Sequence, residues 1–353
     1  MKKLLLTTII PVLAFSQVSD KEIANMFILG FYGTSGAAGT NIHNDICQTG
    51  LGGVILFKNS PVARGKAKNF RSKDELKRLI SNLKSCGTKP LIAVDQEGGL
   101  VQRVKFKYSY PRASVVAQNG EAYARHIYTT MAKELKSLGF NLNFAPVADL
   151  ALNPKNSVIV KYGRSYGKDV DTVVKYDKIF ITAMHRYGIA TSLKHFPGHG
   201  SSLGDTHKGF VDVTNLWQPK ELEPYKRLKN ITDTVMVAHI FNKNLDANNP
   251  ASLSNKVVNG LLRAKIGYRG VVVSDDLQMG AIAKKYGLKN TIKNSINAGV
   301  DIMLFKNQVS PKRVLTINKA VKIVRGLLNS GEVKESTIKA ANSRIRKLKN
   351  RVY

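Results

Sequence analysis

The chain has 353 residues, 43% hydrophobic and 22% charged, enough to bury a large core and within the length of one α/β barrel. Its 55 Lys plus Arg against 24 Asp plus Glu give +31, but the basic residues are dispersed and no helix-turn-helix, zinc-finger or aromatic-basic RNA motif accompanies them. That pattern argues against a specific nucleic-acid partner and reads first as a solvated basic surface; in an exported protein it would also favour non-specific attraction to anionic cell-wall polymers and membrane surfaces. Cys47 and Cys86 are too few for a disulfide scaffold or a zinc cluster, and a single bridge or two separate buried thiols are both open.

The opening MKKLLLTTIIPVLAFSQ has a basic start, an apolar run from Leu4 to Phe15 and small residues Ala14 and Ser16, the pattern of a signal peptide over residues 1–16. The run contains Pro11 and is short of the ~20 apolar residues a spanning helix needs. The expectation is an exported protein, periplasmic in a cell with two membranes, whose residues 17–353 form one domain.

From Asp20 onward, strand-like apolar runs alternate with helix-like segments. The strand candidates are residues 26–32, 53–57, 91–95, 142–148, 191–195, 234–239, 271–275 and 302–305. Between them, Ser72-Lys-Asp-Glu75 reads as a capping box ahead of Leu76, Leu79, Ile80 and Leu83. Ser310-Pro311 reads as the start of a helix carrying Val314, Ile317, Val321, Val324 and Leu328, while Gly139, Gly188 and Gly299 read as helix ends. Eight βα units predict a single (β/α)8 barrel of the TIM type, an α/β fold whose site lies at the carboxyl ends of the strands.

Those ends are polar. The third runs into Asp95-Gln-Glu-Gly-Gly99, the fourth leads to Asp149, the fifth gives Lys194 and His195, the sixth His239 and the seventh Asp275 and Asp276. The stretch Lys194-His-Phe-Pro-Gly-His-Gly-Ser-Ser-Leu-Gly-Asp-Thr-His207 gathers a Lys, three His and an Asp among Pro197, Gly198, Gly200 and Gly204, a strand passing into a loop. His195 and His199 have the spacing of two metal ligands on a helix, but Pro197 and Gly198 between them oppose that helix, so no metal and no other cofactor is expected.

These motifs resemble the bacterial β-N-acetylglucosaminidases of glycoside hydrolase family 3. The matching runs are Asp95 to Arg103, Gly163-Arg-Ser-Tyr-Gly167, Lys194 to Gly200 with Asp205-Thr-His207, and Ser274-Asp-Asp-Leu-Gln-Met279. The resemblance implies Asp275 as nucleophile and His207 as general acid/base with Asp205 as its partner. It implies sugar binding by Asp95, Arg103, Arg164, Lys194 and His195. The implied substrate is a carbohydrate, a muropeptide fragment or an N-acetylglucosamine oligosaccharide. Tyr166 and Lys208-Gly209 depart from the family pattern.

The chemistry agrees with that resemblance. Retaining glycoside hydrolysis needs a nucleophile and an acid/base flanking one bond. Strand alternation sends Asp275 to the face opposite Asp276, and an imidazole partnered by Asp205 titrates near neutral pH. Three alternatives stay open: attack by the substrate's own acetamido group assisted by Asp275 and Asp276, a β-glucosidase of the same family, and an inactive wall-binding barrel.

Overall fold

The computed structural model describes residues 17–63, 65–206 and 209–353. The first 16 residues, on which the export reading rests, and His207 lie outside the described residues.

All eight expected strands form. They are β1 (Phe27–Leu29), β2 (Gly53–Ile55), β3 (Leu91–Val94), β4 (Leu142–Asn143), β5 (Ala190–Phe196), β6 (Thr234–Val237), β7 (Val271–Ser274) and β8 (Met303–Phe305). They pair in parallel in the order β8-β1-β2-β3-β4-β5-β6-β7. A parallel bridge between Val273 and Ile302, with the Ser274 amide donating to the Ile302 carbonyl at 3.0 Å, closes the ring between β7 and β8. The barrel strands are buried on both faces, as expected of parallel strands under helices, which is why their sequences read as unbroken Val/Ile/Leu runs.

The ladders are shorter than the apolar runs. The run 142–148 pairs as β4 only over Leu142–Asn143 because Pro146 lacks an amide to donate. The chain still follows β5, through Ser192 N to Ala145 O at 2.9 Å and Ala148 N to Lys194 O at 2.8 Å, and so delivers Asp149 to the carboxyl end of the barrel.

The helices follow their caps. The hydroxyl of Ser72 accepts from the Glu75 amide at 3.2 Å and starts the helix Lys73–Leu83, while the Glu75 carboxylate accepts from the Arg71 amide rather than closing a full capping box. Gly139 and Gly299 end their helices in the left-handed conformation, at φ of 98° and 101°; Gly188, at φ of 64°, lies just past the end of Val170–His185.

One helix starts later than its sequence reads. Pro311–Arg313 is a single 3-10 turn, and the helix proper is Ile317–Asn329, capped by the Thr316 hydroxyl. The cause is Asn307, whose side chain accepts from the Leu315 amide at 2.9 Å and donates to the Leu315 carbonyl at 3.0 Å. That bracket holds residues 314–316 extended, so Val314 never joins the helical face.

Cys47 and Cys86 are joined in a disulfide across 39 residues, tying the π-helical turn Asp45–Thr49 to the segment after the helix Lys73–Leu83. No helix among the described residues is long and apolar enough to cross a membrane.

Candidate active site

The carboxyl ends of β3, β5, β7 and β8 open on one cavity of ≈ 80 Å³, walled by Asp95, Glu97, Arg103, Arg164, Lys194, His195, Asp275 and Lys306. Alternation beyond β3 puts Asp95 and Glu97 on the same side. After them Gly98 and Gly99, at φ of 102° and 57°, turn the chain sharply enough for Val101–Gln102 to fold back against Gln96–Gly98. The Gln96 side chain then clamps the returning strand, accepting from the Arg103 amide at 2.9 Å and donating to the Val104 carbonyl at 2.8 Å. This hairpin is what carries Arg103 to the cavity.

Most of the charges in the cavity are paired. Glu97 accepts from Arg164 in a bidentate fork, with both contacts at 2.8 Å, and meets Lys194 Nζ at 2.6 Å. Lys194 reaches Asp95 at 3.4 Å, and Lys306 bridges Asp95 at 3.2 Å and Asp275 at 3.9 Å. Burial pushes both acids up, but the cations outweigh it. Lys306, Lys194 and Arg103 hold Asp95 well below the ordinary range, and Arg164 and Lys194 hold Glu97 at about 2. Burial alone lowers the Lys306 ammonium, yet Asp95, Asp275 and Asp276 keep it raised and charged.

A second layer fixes the histidines. Asp149 is fully buried and accepts from the amides of His195 and His199 at 3.1 and 2.8 Å and faces His195 Nδ1 at 2.7 Å. That leaves His195 Nε2 toward the cavity, 3.4 Å from Arg164. His199 Nδ1 meets the Ser202 hydroxyl at 2.6 Å, and burial pushes the ring down to about 4, so it is neutral. Because residues 190–196 are a strand, His195 and His199 do not share a helical face. Gly200 is required where it stands, since a Cβ there would lie 1.7 Å from the Leu150 carbonyl oxygen.

Asp275 follows β7. Its Oδ1 accepts from the Asp276 amide at 2.7 Å, and the Asp275 amide donates to Val237 O at 2.9 Å. Asp276 does not line this cavity; its Oδ1 accepts from the amides of Lys306 and Gln278 at 3.1 and 3.2 Å, and burial raises its pKa. His239, polar at the end of β6, is likewise outside. Its Nε2 lies 2.9 Å from the Asp276 carbonyl and its Nδ1 2.7 Å from the Ser252 hydroxyl, which braces the turn behind Asp275.

The sequence-selected residues Asp95, Arg103, Arg164, Lys194, His195 and Asp275 therefore meet in one cavity. Asp205 does not line it, but its neighbour Thr206 does. Sequence reasoning gave no role to Glu97 or Asp149 and missed Lys306. Glu97 sits two residues past Asp95 on the same side, and Lys306 is the first residue after β8, so the strand-end rule extended by two positions finds both.

The chain is 34% identical over 286 residues to a beta-hexosaminidase of Xanthomonas oryzae pv. oryzae, covering 76% of this chain and 81% of that protein. It is 30% identical over 339 residues to beta-hexosaminidase A of Pseudoalteromonas piscicida, covering 87% of this chain and 54% of the relative. A solved glycoside hydrolase family 3 beta-N-acetylglucosaminidase from Paenibacillus superposes with a TM-score of 0.84 at 28% identity, covering 95% of this chain and 63% of that one. This chain thus spans less than two thirds of those last two proteins. Residues 18–348 match the N-terminal domain of glycosyl hydrolase family 3, and the chain belongs to that family.

Proposed function

We propose that this protein is a retaining exo-β-N-acetylglucosaminidase that removes terminal β-linked N-acetylglucosamine from peptidoglycan fragments. The observation that carries the reading is the convergence of Asp275 with Asp95, Arg164, Lys194 and His195 at the carboxyl ends of the barrel strands. Asp275 attacks the anomeric carbon while His207, partnered by Asp205, protonates the leaving oxygen. His207 then takes a proton from the water that releases the sugar from Asp275. Lys306 places a positive charge 3.9 Å from Asp275. Asp276, whose Oδ1 accepts from two backbone amides, is poorly disposed to orient an acetamido group, which favours the covalent route over substrate assistance.

Asp95, Lys194, Arg164 and His195 offer acceptors and donors at fixed positions, and such groups hold a sugar ring by charge-assisted hydrogen bonds to its hydroxyls. Turnover of an aryl β-N-acetylglucosaminide against the aryl β-glucoside, using protein that starts at Gln17, tests the reading. The N-acetylglucosaminide should be strongly preferred. Equal or faster glucoside cleavage moves the protein to another specificity of the family, and cleavage of neither favours a wall-binding barrel.

Export is part of the proposal. The leader-like first 16 residues and the Cys47–Cys86 bridge support it, because disulfides persist in oxidising compartments. Mass spectrometry of the native protein should find a mature start near Gln17; an intact Met1 on cytoplasmic protein would refute it.

A further inference from the structure

A cavity of ≈ 430 Å³ lies between the exit of β1, the short helix Asn41–Asn44 and the extended stretch that precedes the helix Ile317–Asn329. It shares no wall residue with the cavity around Asp275. Its walls are largely apolar, with Leu29, Phe31, Ile42, Val314 and Leu315 among them.

One charged residue stands in those walls, Asp45. Asn41, Ile42 and Asp45 are three and four residues apart where the helix passes into the π turn Asp45–Thr49, so they share the face that borders the cavity. Among the described residues no Lys, Arg or His lines it, although the chain has 55 Lys plus Arg against 24 Asp plus Glu. The Asp45 carboxylate makes no hydrogen bond or ion pair with another described residue. Burial pushes it up to about 6, and no neighbouring cation holds it down. Asp95, Glu97 and Asp301 are different, because each meets two cations.

The walls are set before any ligand arrives. The Asn307 side chain that brackets Leu315 also donates to the Gly30 carbonyl at 2.7 Å, joining the far wall to the exit of β1. The Tyr32 hydroxyl donates to the Val309 carbonyl at 2.8 Å, and the Cys47–Cys86 bridge anchors the turn that begins at Asp45. Water can meet this half-buried carboxylate, but it leaves the apolar walls uncovered. An ammonium group on an apolar body satisfies both at once.

The geometry points to a second binding site, for a primary amine carried on a compact apolar body. The ammonium pairs with Asp45, and the body fills the space between Phe31, Ile42 and Val314. A neutral ligand of the same shape leaves the carboxylate without its counter-charge, and an anionic one is repelled by it. This site is independent of the glycosidase reading.

Isothermal titration calorimetry at about pH 8, where carboxylate and ammonium are both charged, tests it by comparing 2-phenylethylammonium with the near-isosteric 2-phenylethanol. The wild type should bind the amine at least about tenfold more tightly, the advantage of a charge-assisted pair. Asp45→Asn should erase that advantage while keeping the affinity for the alcohol. Val314→Trp, which fills the cavity and spares Asp45, should lose both ligands. Equal binding of the two by the wild type reduces the cavity to an apolar void, and binding of neither removes it as a site; each overturns the inference. So does an Asp45→Asn variant that keeps the preference, or amine binding that survives Val314→Trp. The wild-type comparison needs no substitution, so a variant that misfolds does not shelter the inference.

Discussion

Buried carboxylates stand at both ends of this barrel, and they do opposite things. At the amino ends of the strands, Asp233 accepts from the Thr191 amide and hydroxyl at 2.8 and 3.1 Å, contacts His185 at 2.6 Å, and pairs with Arg351 at 2.9 Å. Asp301 accepts from the Val272 amide at 2.8 Å and pairs with Arg263 and Arg344, each at 2.7 Å. Each aspartate stands just before a strand and ties an amide of the preceding strand in the ring to a helix, Arg351 and Arg344 belonging to the C-terminal helix Glu335–Val352. None of these groups lines the cavity at the other end of the barrel. At the carboxyl ends Glu97 is paired just as closely and Asp95 and Asp275 more loosely, at 3.2 to 3.9 Å, and their partners Lys194, Arg164 and Lys306 surround an open space. An ion pair therefore says little by itself. Whether its donors and acceptors end in packing or at a cavity decides between stability and chemistry.

The comparison breaks most readily at Asp275. Asp275→Ala should lower kcat by at least ~10⁴-fold with the thermal midpoint little changed, because no other carboxylate on β7 faces the cavity. A fluorosugar that labels a different residue refutes the assignment.

Next in size is His207→Ala, expected to cost ~10² to 10⁴-fold for substrates with poor leaving groups and much less for activated aryl glycosides. Azide should restore turnover and give a glycosyl azide of retained configuration. An equal loss for good and poor leaving groups, without rescue, makes His207 a binding residue.

Glu97→Gln sits between the two ends, since it breaks a buried pair inside the cavity, a change that costs about 3–5 kcal/mol. Both kcat/KM and stability should fall. Glu97 is held at about 2 in the folded chain against an ordinary 4.5. Its contribution is thus fully present above the ordinary value and is lost as pH falls toward about 2. The variant should show a flatter acid limb in a plot of stability against pH; an unchanged limb would place the acid sensitivity elsewhere.

Asp301→Asn is the mirror experiment and should cost about 2–4 kcal/mol of stability while leaving KM and kcat of the folded fraction near wild type. A changed KM with normal stability would erase the distinction between the two ends. Reducing the Cys47–Cys86 bridge should be smaller or similar, about 2–4 kcal/mol in the loop-entropy picture, and also silent in KM.

Much of this protein is legible in the chain itself. Runs such as Val271-Val-Val273 and Leu91-Ile-Ala-Val94 are buried on both faces, and that double burial is what makes parallel strands visible as apolar stretches of period-free sequence. Asp95, Lys194 and Asp275 are equally legible, because a charged residue ending an apolar run has only the strand's carboxyl end to occupy. Asp275 facing the cavity and Asp276 turned from it follows from a side-chain period of two.

Contacts between segments distant in the chain could not be read this way. Helical periodicity extends back to Val314, but Asn307 captures the backbone of Leu315 and delays the helix to Ile317. Cys47 and Cys86 meet because the first and second βα units pack side by side. The sequence assigns Glu97 no role beyond the polar run Asp95 to Gly99, and it gains one only where Arg164, 67 residues on, closes its fork. Local pattern fixes which face and which end a residue occupies, since that depends only on the geometry of its own element. Which charge it meets there depends on loop closure across the barrel, and only the tertiary structure decided that.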